Sequence, residues 1–336
     1  MKHSPAVWRL ALACVEAGGP VELLYVVESV GSSPGRAGFA MALTADCAAG
    51  SVGGGSMEHR FILETRERWK NGDSGPRLPR IVRQVHDPEA DDKSGMICSG
   101  EQTVCILSLQ PRDRSTISSL LGAIESRSGG RLTLGPRGLD FDPGHRPGSA
   151  PSFVPGREWS YSESLEQNRL HIVGGGHCAL ALSQLAAGLD FDIAVYDDRP
   201  SLPTFEANTW ARRVIVPNYS VMGGLIPPGD EQYVCIMTFG YKTDDLALRS
   251  LLLQDYAFLG ALGSRAKIDK LLTAYTAEGW DPQRLRRLHA PLGLPIHSQT
   301  PAEIAVSVAA QLIRFRNEPH RRDESHRKEV RSELLR

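Results

Sequence analysis

The chain has 336 residues, of which 41% are apolar and 23% are charged, and this length favours two domains with separate cores. Its 38 basic and 39 acidic side chains leave a formal net charge of −1, without the excess of positive charge that binds nucleic-acid phosphates. No stretch approaches the roughly 20 consecutive apolar residues of a membrane-spanning helix. We therefore expect neither nucleic acid nor a membrane as a partner.

The N-terminus and the cysteines both indicate a cytoplasmic protein. An apolar stretch near the start weakly resembles a secretion signal, but Arg9 interrupts it and Glu16 follows, as in an amphipathic helix. The six cysteines show no C-x-x-C spacing and no disulfide framework. They are Cys14, Cys47, Cys98, Cys105, Cys178 and Cys235.

Residues 1–110 alternate helical and strand patterns and predict an N-terminal α/β domain. Val7, Leu10, Ala11 and Cys14 recur at helical spacing and predict a helix, and the β-rich run Val21–Val27 predicts a strand. After a glycine-dense stretch, apolar or small residues recur every fourth position from Met57 to Trp69, as on one face of a helix. Thr103–Leu107 has the composition of a buried strand.

Residues 111–167 are interpreted as the remainder of the first domain and a linker rich in proline and glycine, with a helix near 115–126 and one or two strands. From residue 168 the order strand, turn, helix repeats, and short apolar runs predict parallel strands covered on both faces. Residues 168–316 are therefore predicted to form a Rossmann-like, doubly wound domain. Residues 317–336 are a charged tail, expected to be a solvated helix or disordered.

A glycine-rich turn opens the first helix of the predicted Rossmann domain. Gly174–Ala179 reads G-x-G-x-x-A between a predicted strand and a predicted helix, a pattern that lets backbone amides approach a phosphate. Asp197 follows at the end of the next strand, where a carboxylate can bind a ribose. NAD(P) or another nucleotide is therefore a candidate ligand. His177 either faces that ligand or is only a polar residue of the first helical turn.

Seven short blocks, taken together and in order, resemble the signature of the XdhC/CoxI family of accessory proteins that mature xanthine dehydrogenase. They are GSSPGRAG at 31–38, GSVGGGSME at 50–58, GMICSG at 95–100, GGGH at 174–177, DDRP at 197–200, LGSR at 262–265 and TPAEIAVS at 300–307. The resemblance covers most of the chain except about 111–165 and the tail. Thr238–Tyr241 departs from the pattern, because many members carry histidines there.

The resemblance implies a protein that binds the molybdenum cofactor (molybdopterin), protects it, supports its sulfuration and delivers it to an apo xanthine dehydrogenase-type enzyme. A sulfur donor would be a second partner, and the chain would be an accessory factor more than a turnover enzyme. Cys98 is the candidate for contact with sulfur or molybdenum, because a thiolate is a soft ligand. The candidate cofactor-binding residues are Gly31, Ser32, Ser33, Arg36, Gly53, Gly54, Gly55, Glu58, Gly174, Gly176, His177, Asp197, Asp198, Arg199, Ser264 and Arg265.

Other interpretations remain open from the sequence. The chief alternative is an NAD(P)-dependent oxidoreductase, although no Tyr-x-x-x-Lys pair marks a hydride site; a nucleotide-sensing adaptor is a third. Gly53–Gly55 also fits a tight strand-to-helix connection, and Glu58 fits an ordinary first-turn carboxylate. Asp244 and Asp245 after Thr243 predict a helix start that needs no functional role. A homodimer is expected, because an open sheet and a glycine-rich domain leave much surface to cover.

Overall fold

A computed structural model describes residues 3–85, 100–145, 151–165 and 168–334, with the side chains of the last helix described to residue 317. The chain divides into two compact units, residues 1–166 and 167–336. The expected fold class is confirmed: an N-terminal α/β region precedes a Rossmann-like unit built on a parallel sheet.

The described part of the first unit contains three helices and nine strands. The helices are α1 (Pro5–Glu16), α2 (Gly55–Lys70) and α3 (Arg114–Ser126). The strands are β1 (Val21–Gly31), β2 (Ala40–Thr44), β3 (Ala48–Gly50), β4 (Arg80–Val85), β5 (Gly100–Leu109), β6 (Arg131–Gly135), β7 (Gly138–Asp142), β8 (Ser152–Val154) and β9 (Ser160–Ser164).

An antiparallel five-stranded sheet, in the order β3-β2-β1-β5-β4, lies at the centre of the first unit. Side chains alternate between its two faces, as they must along a strand. Leu23 and Tyr25 of β1 join the core formed with α1 and α3, whereas Leu24 and Val26 join the core formed with α2. The sheet is therefore covered on both faces, which explains why β1 is largely apolar.

The segment 111–165 is more regular than its composition indicates. It contains α3 and a second antiparallel sheet in the order β7-β6-β9-β8. Its strands have only three to five residues, and buried and partly buried positions alternate along β6 and β9. Such short, half-buried strands give little periodic signal between proline- and glycine-rich turns.

The second unit has a six-stranded sheet and seven helices in its described residues. The strands are β10 (Asn168–Val173), β11 (Phe191–Asp197), β12 (Arg212–Ile215), β13 (Gly229–Ile236), β14 (Tyr256–Ala261) and β15 (Leu288–His289). The helices are α4 (His177–Ala186), α5 (Pro203–Glu206), α6 (Met222–Leu225), α7 (Tyr241–Leu251), α8 (Arg265–Ala277), α9 (Pro282–Arg286) and α10 (Pro301–Leu334).

All six strands run parallel in the order β12-β11-β10-β13-β14-β15, the order of a Rossmann fold. Helices α4 and α10 pack on one face, and α7 and α8 pack on the other. The chain changes direction across the sheet between β10 and β13, and ligands of such folds bind outside the carboxyl ends of the strands at this point. The predicted glycine turn lies at this edge of the sheet.

No helix in the described ranges combines the length and the apolar composition that crossing a bilayer requires. The charged C-terminal segment continues α10 as far as Leu334.

Candidate functional site

The glycine loop of the first unit is fixed by backbone conformation. Gly53, Gly54 and Gly55 have φ angles of 126°, 72° and 73°, in the left-handed region that favours glycine. A Cβ atom on Gly53 would lie only 2.6 Å from the backbone nitrogen of Gly35. The loop before α2 therefore packs directly on the loop that follows β1, and these two family-like blocks are in contact.

The Glu58 carboxylate accepts hydrogen bonds from backbone amides at this loop. Its Oε2 atom accepts hydrogen bonds from the Val52 and Gly54 amides, at 2.9 and 3.0 Å, and from the Ser51 hydroxyl at 2.6 Å. Glu58 thus satisfies these amides and offsets the partial positive charge at the start of α2. The sequence predicted that the amides of Gly53–Gly55 bind a phosphate, but in this structure the Gly54 amide already has an anionic partner from the chain itself.

The serine–arginine block beside it is held by Gln102, a residue that belongs to none of the motifs seen in the sequence. The Oε1 atom of Gln102 lies 2.9 Å from the Ser33 hydroxyl and accepts a hydrogen bond from the Gly35 amide at 3.1 Å. Gln102 is fully buried, whereas Ser32 and Arg36 are exposed. The Arg36 guanidinium donates to the Gly31 carbonyl oxygen at 3.1 Å. This block is a folded turn with Arg36 at its surface.

Cys98 lies outside the described residues, so its proposed role stays a prediction. Cys105 and Cys235 are fully buried in strands, and burial raises the pKa of each thiol. Cys178 packs at the edge of the core between α4 and the sheet, and burial raises its pKa as well. Within the described residues, no group of three or more His, Cys, Asp or Glu side chains is arranged to hold a metal ion.

The second glycine turn joins β10 to α4. Gly174 has φ 110°, and a Cβ atom there would lie 2.5 Å from the Met237 carbonyl oxygen at the end of β13. A Cβ on Gly175 would lie 2.8 Å from the Phe205 ring, whereas Gly176 has open space in front of it. No side chain caps the start of α4, and His177 is exposed in its first turn. Packing requires the first two glycines, and the third leaves the turn open to solvent.

Asp197 braces this turn. Its buried carboxylate accepts hydrogen bonds from the Gly175 amide at 2.6 Å and from the Arg199 amide, Nε and Nη2, each at 2.9 Å. Burial by itself raises the pKa of Asp197, but the hydrogen bonds from Arg199 and Gly175 outweigh it and hold the pKa below its usual value. Four donors fill the lone pairs of a carboxylate. Asp197 therefore has no acceptor left for a ribose.

Asp198 and Tyr219 carry the unused polar atoms of this region. The Oδ1 atom of Asp198 and the hydroxyl of Tyr219 are buried and have no hydrogen-bond partner among the described residues. Burial raises the pKa of Tyr219, and the charges of Asp197 and Asp198 raise it further and outweigh the opposite effects of the Asp198 amide and Arg199, so the hydroxyl keeps its proton. The Arg199 guanidinium lies 3.8 Å from Asp198 and stacks over the exposed Phe239 ring at 4.4 Å. An acceptor, a donor and a cation are thus available near the turn.

The LGSR block begins α8 at the same edge of the sheet. Ser264 is the N-cap residue and accepts a hydrogen bond from the Lys267 amide at 3.3 Å, while Arg265 is exposed.

The structure thus places eight of the predicted site residues at the carboxyl edge of one sheet: Gly174, Gly176, His177, Asp197, Asp198, Arg199, Ser264 and Arg265. The remaining described candidates belong to the blocks 31–38 and 50–58 of the first unit. Sequence reasoning missed Tyr219, because a lone tyrosine after a strand carries no motif.

Two family models match the chain. The model described as the XdhC and CoxI family matches residues 14–82, and the model described as the XdhC Rossmann domain matches residues 170–312. Together they cover more than half of the chain.

Several known proteins are similar to this chain, among them two curated relatives. The uncharacterized protein YqeB of Escherichia coli K12 is 28% identical over 305 residues, 90% of this chain and 44% of the relative. A Bacillus subtilis 168 protein, named as a probable subunit of xanthine dehydrogenase, is 31% identical over 150 residues, 44% of this chain and 43% of the relative. The chain spans less than half of the length of these curated relatives.

A crystal structure of a protein described as a xanthine dehydrogenase from Bacillus halodurans has the same fold. The TM-score is 0.69 and the identity 22%, and the match covers 93% of this chain and 96% of that one.

Proposed function

The chain belongs to the XdhC and CoxI family, which is linked to xanthine dehydrogenase, and on this premise we propose that it is a maturation factor for a xanthine dehydrogenase-type molybdenum hydroxylase. It would bind the molybdenum cofactor, protect it, support its sulfuration and deliver it to the apo-enzyme. The bound cofactor would supply the redox centre of the client, and this chain would hold it without turning over a substrate.

The proposal rests on two buried polar atoms beside Asp197, which braces the open turn: Asp198 Oδ1 and the Tyr219 hydroxyl make no hydrogen bond of normal geometry among the described residues. Leaving such atoms unpaired costs about 1–3 kcal/mol each, so a ligand that pairs with them is favoured. The molybdenum cofactor joins a pterin, which carries N–H donors and ring acceptors, to a phosphate. The pterin suits Asp198 and Tyr219, and the phosphate suits the uncapped start of α4.

The first unit fits the phosphate less well. Glu58 already accepts from the Gly54 amide and from the preceding Val52 amide, and a second anion there would meet the like charge of its carboxylate. We therefore assign the phosphate to the second unit. Cys98 is proposed as the thiol that contacts sulfur or molybdenum, and an apo-enzyme, a sulfur donor and a second copy of this chain are the proposed partners.

The test is purification under nitrogen followed by molybdenum analysis and pterin fluorescence of the released small molecule. We expect molybdenum and pterin in about equal amounts, and titration with isolated cofactor should reload the stripped protein. Tight NADH binding without cofactor binding would instead favour the NAD(P)-dependent oxidoreductase.

Variants localise the ligand. Asp198→Asn and Tyr219→Phe should each weaken cofactor binding about tenfold, because the first removes the charge that strengthens a hydrogen bond to the ligand and the second removes a hydrogen bond. Tyr219→Phe should leave the thermal stability of the ligand-free protein unchanged or higher, because the hydroxyl it removes has no partner among the described residues. The matched control is Asp230→Asn, at the exposed amino end of β13. Equal affinities in all three variants would remove Asp198 and Tyr219 from the site.

Cys98→Ala tests the thiol separately. We expect the variant to bind cofactor but to lose transfer of the sulfurated form to the apo-enzyme. Cys47→Ala, which removes an exposed cysteine, is its control.

A further inference from the structure

A charged network occupies the carboxyl edge of the parallel sheet beside the glycine turn. The Thr238 hydroxyl donates to Asp244 Oδ1 at 2.5 Å, and the Lys267 ammonium donates to Asp244 Oδ2. The Asp244 side chain is 1% exposed, whereas that of Lys267 is 23% exposed. Asp244 is therefore more than the helix-start residue that its sequence context predicts: it is a buried carboxylate that holds a partly exposed ammonium.

Three elements bring this network to the ligand-binding edge. Thr238 follows β13, Asp244 lies in the first turn of α7, and Lys267 lies in the first turn of α8. A Cβ atom on Gly174 would lie 2.8 Å from the Cα atom of Thr238, so the network adjoins the glycine turn. This is also where the chain crosses from β10 to β13, the usual ligand position in such sheets.

The ammonium has hydrogen-bonding capacity that the protein does not use. A lysine carries three N–H donors, and Asp244 is the single partner of the Lys267 ammonium among the described residues. Gly263 makes room for the side chain, since a Cβ atom there would lie 2.2 Å from Lys267 Cε. A buried ion pair is a poor source of stability, because desolvation offsets its attraction. Holding a cation in a fixed place for a ligand is a better physical reason for the arrangement.

We propose that Lys267 binds a phosphate oxygen of the ligand held at the Gly174–Gly176 turn, with Asp244 as the residue that positions its ammonium. The ligand class is a phosphate ester, either a nucleotide or a pterin phosphate. The inference rests on the proposed function only in that a ligand occupies this edge of the sheet. Charge-assisted hydrogen bonds to phosphate are among the stronger polar contacts in proteins.

The experiment is calorimetric titration of the full chain with three probes: ADP, adenosine, and the pterin phosphate released from a molybdenum enzyme. Lys267→Gln should weaken the binding of a phosphate-bearing probe about tenfold or more and leave adenosine binding unchanged. High salt should reduce that affinity more in the parent than in the variant. The matched control is Lys270→Gln on the same helix, whose ammonium lies over the Tyr241 ring at 5.1 Å.

The single variant leaves the Asp244 carboxylate buried without its cation, which can unfold the protein. The double variant Asp244→Asn/Lys267→Gln removes both charges and keeps an amide-to-amide hydrogen bond, so it separates folding from binding. A folded double variant that binds ADP and the pterin phosphate as tightly as the parent overturns the inference, and so does a parent that binds neither. Lys267-dependent ADP binding without pterin binding supports the inference while contradicting the proposed function.

Discussion

The two glycine turns of this protein look alike in sequence and differ in what their amides contact. Gly53–Gly55 and Gly174–Gly176 each precede a helix, and a carboxylate lies against each turn. In the first turn, Glu58 of the same helix accepts from the Val52 and Gly54 amides. In the second, Asp197 of the next strand accepts from one amide of the turn, that of Gly175, and the start of α4 has no side-chain cap.

The difference shows that glycine spacing marks where amides can meet an anion, but it does not say which anion. A carboxylate one helical turn along the chain reaches back to its own turn, so the first loop is closed internally. A carboxylate on a neighbouring strand, Asp197, bonds to the middle glycine of the second turn. No side chain caps the helix that follows the second turn.

The largest effect is expected from Gly174→Ala, which tests whether packing requires the first glycine of the open turn. An alanine is strained at a φ of 110°, and its Cβ atom would lie 2.5 Å from the Met237 carbonyl oxygen. The free energy of unfolding should therefore fall by at least about 3 kcal/mol. The matched control is Gly176→Ala, where φ is −72° and space is open, with a change below about 1 kcal/mol. Urea denaturation measures both, and similar losses would erase the distinction between the two glycines.

Asp197→Asn tests whether this carboxylate stabilises the open turn. We expect it to lower the free energy of unfolding by about 2 kcal/mol. The amide cannot accept from Gly175 and Arg199 as the carboxylate does, and Arg199 is exposed enough to be partly resolvated.

The pKa of Asp197 is lowered in the folded protein, so its contribution is complete above the ordinary value of about 3.9 and is lost as the pH falls through the folded value. Denaturation at pH 7 and pH 3 should therefore show a larger difference between parent and variant at pH 7. A difference independent of pH would contradict this assignment.

The smallest effect is expected from Glu58→Ala, which tests whether the first turn is closed only by its own carboxylate. The loss of stability should be about 1 kcal/mol, as for other helix-start carboxylates that cap backbone amides. Sulfate should then raise the melting temperature of the variant more than that of the parent, because the freed amides accept an external anion. Glu64→Ala, an exposed position on the same helix, controls for the charge change. If sulfate raises the melting temperatures of the variant and the parent equally, Glu58 is not what keeps an external anion from the first turn.

Much of the fold was predictable because continuous apolar runs indicate buried strands. The strands predicted at Val21–Val27 and Leu170–Val173 lie within β1 and β10. The short strand β15 and the four-stranded sheet of 131–164 were harder to predict, since strands of two to five residues bounded by turns leave no reliable period.

At the candidate site, the sequence selected the acidic pair Asp197–Asp198 but could not divide its roles. Asp197 ends β11 and Asp198 follows it, and the structure buries the first carboxylate under the turn and leaves the second partly exposed. The partners of each depend on which strand and loop lie beside β11, which is a tertiary property.

The amino-acid sequence by itself determined the fold class, the family resemblance and the position of both glycine turns, because these depend on local periodicity and on backbone conformations that glycine favours. Only the tertiary structure decided that Glu58 closes one turn, that Asp197 braces the other, and that Lys267 meets Asp244. The physical reason is that a hydrogen bond depends on distances of about 3 Å between atoms, and residues far apart in the chain reach such distances only when the sheet and its helices have packed.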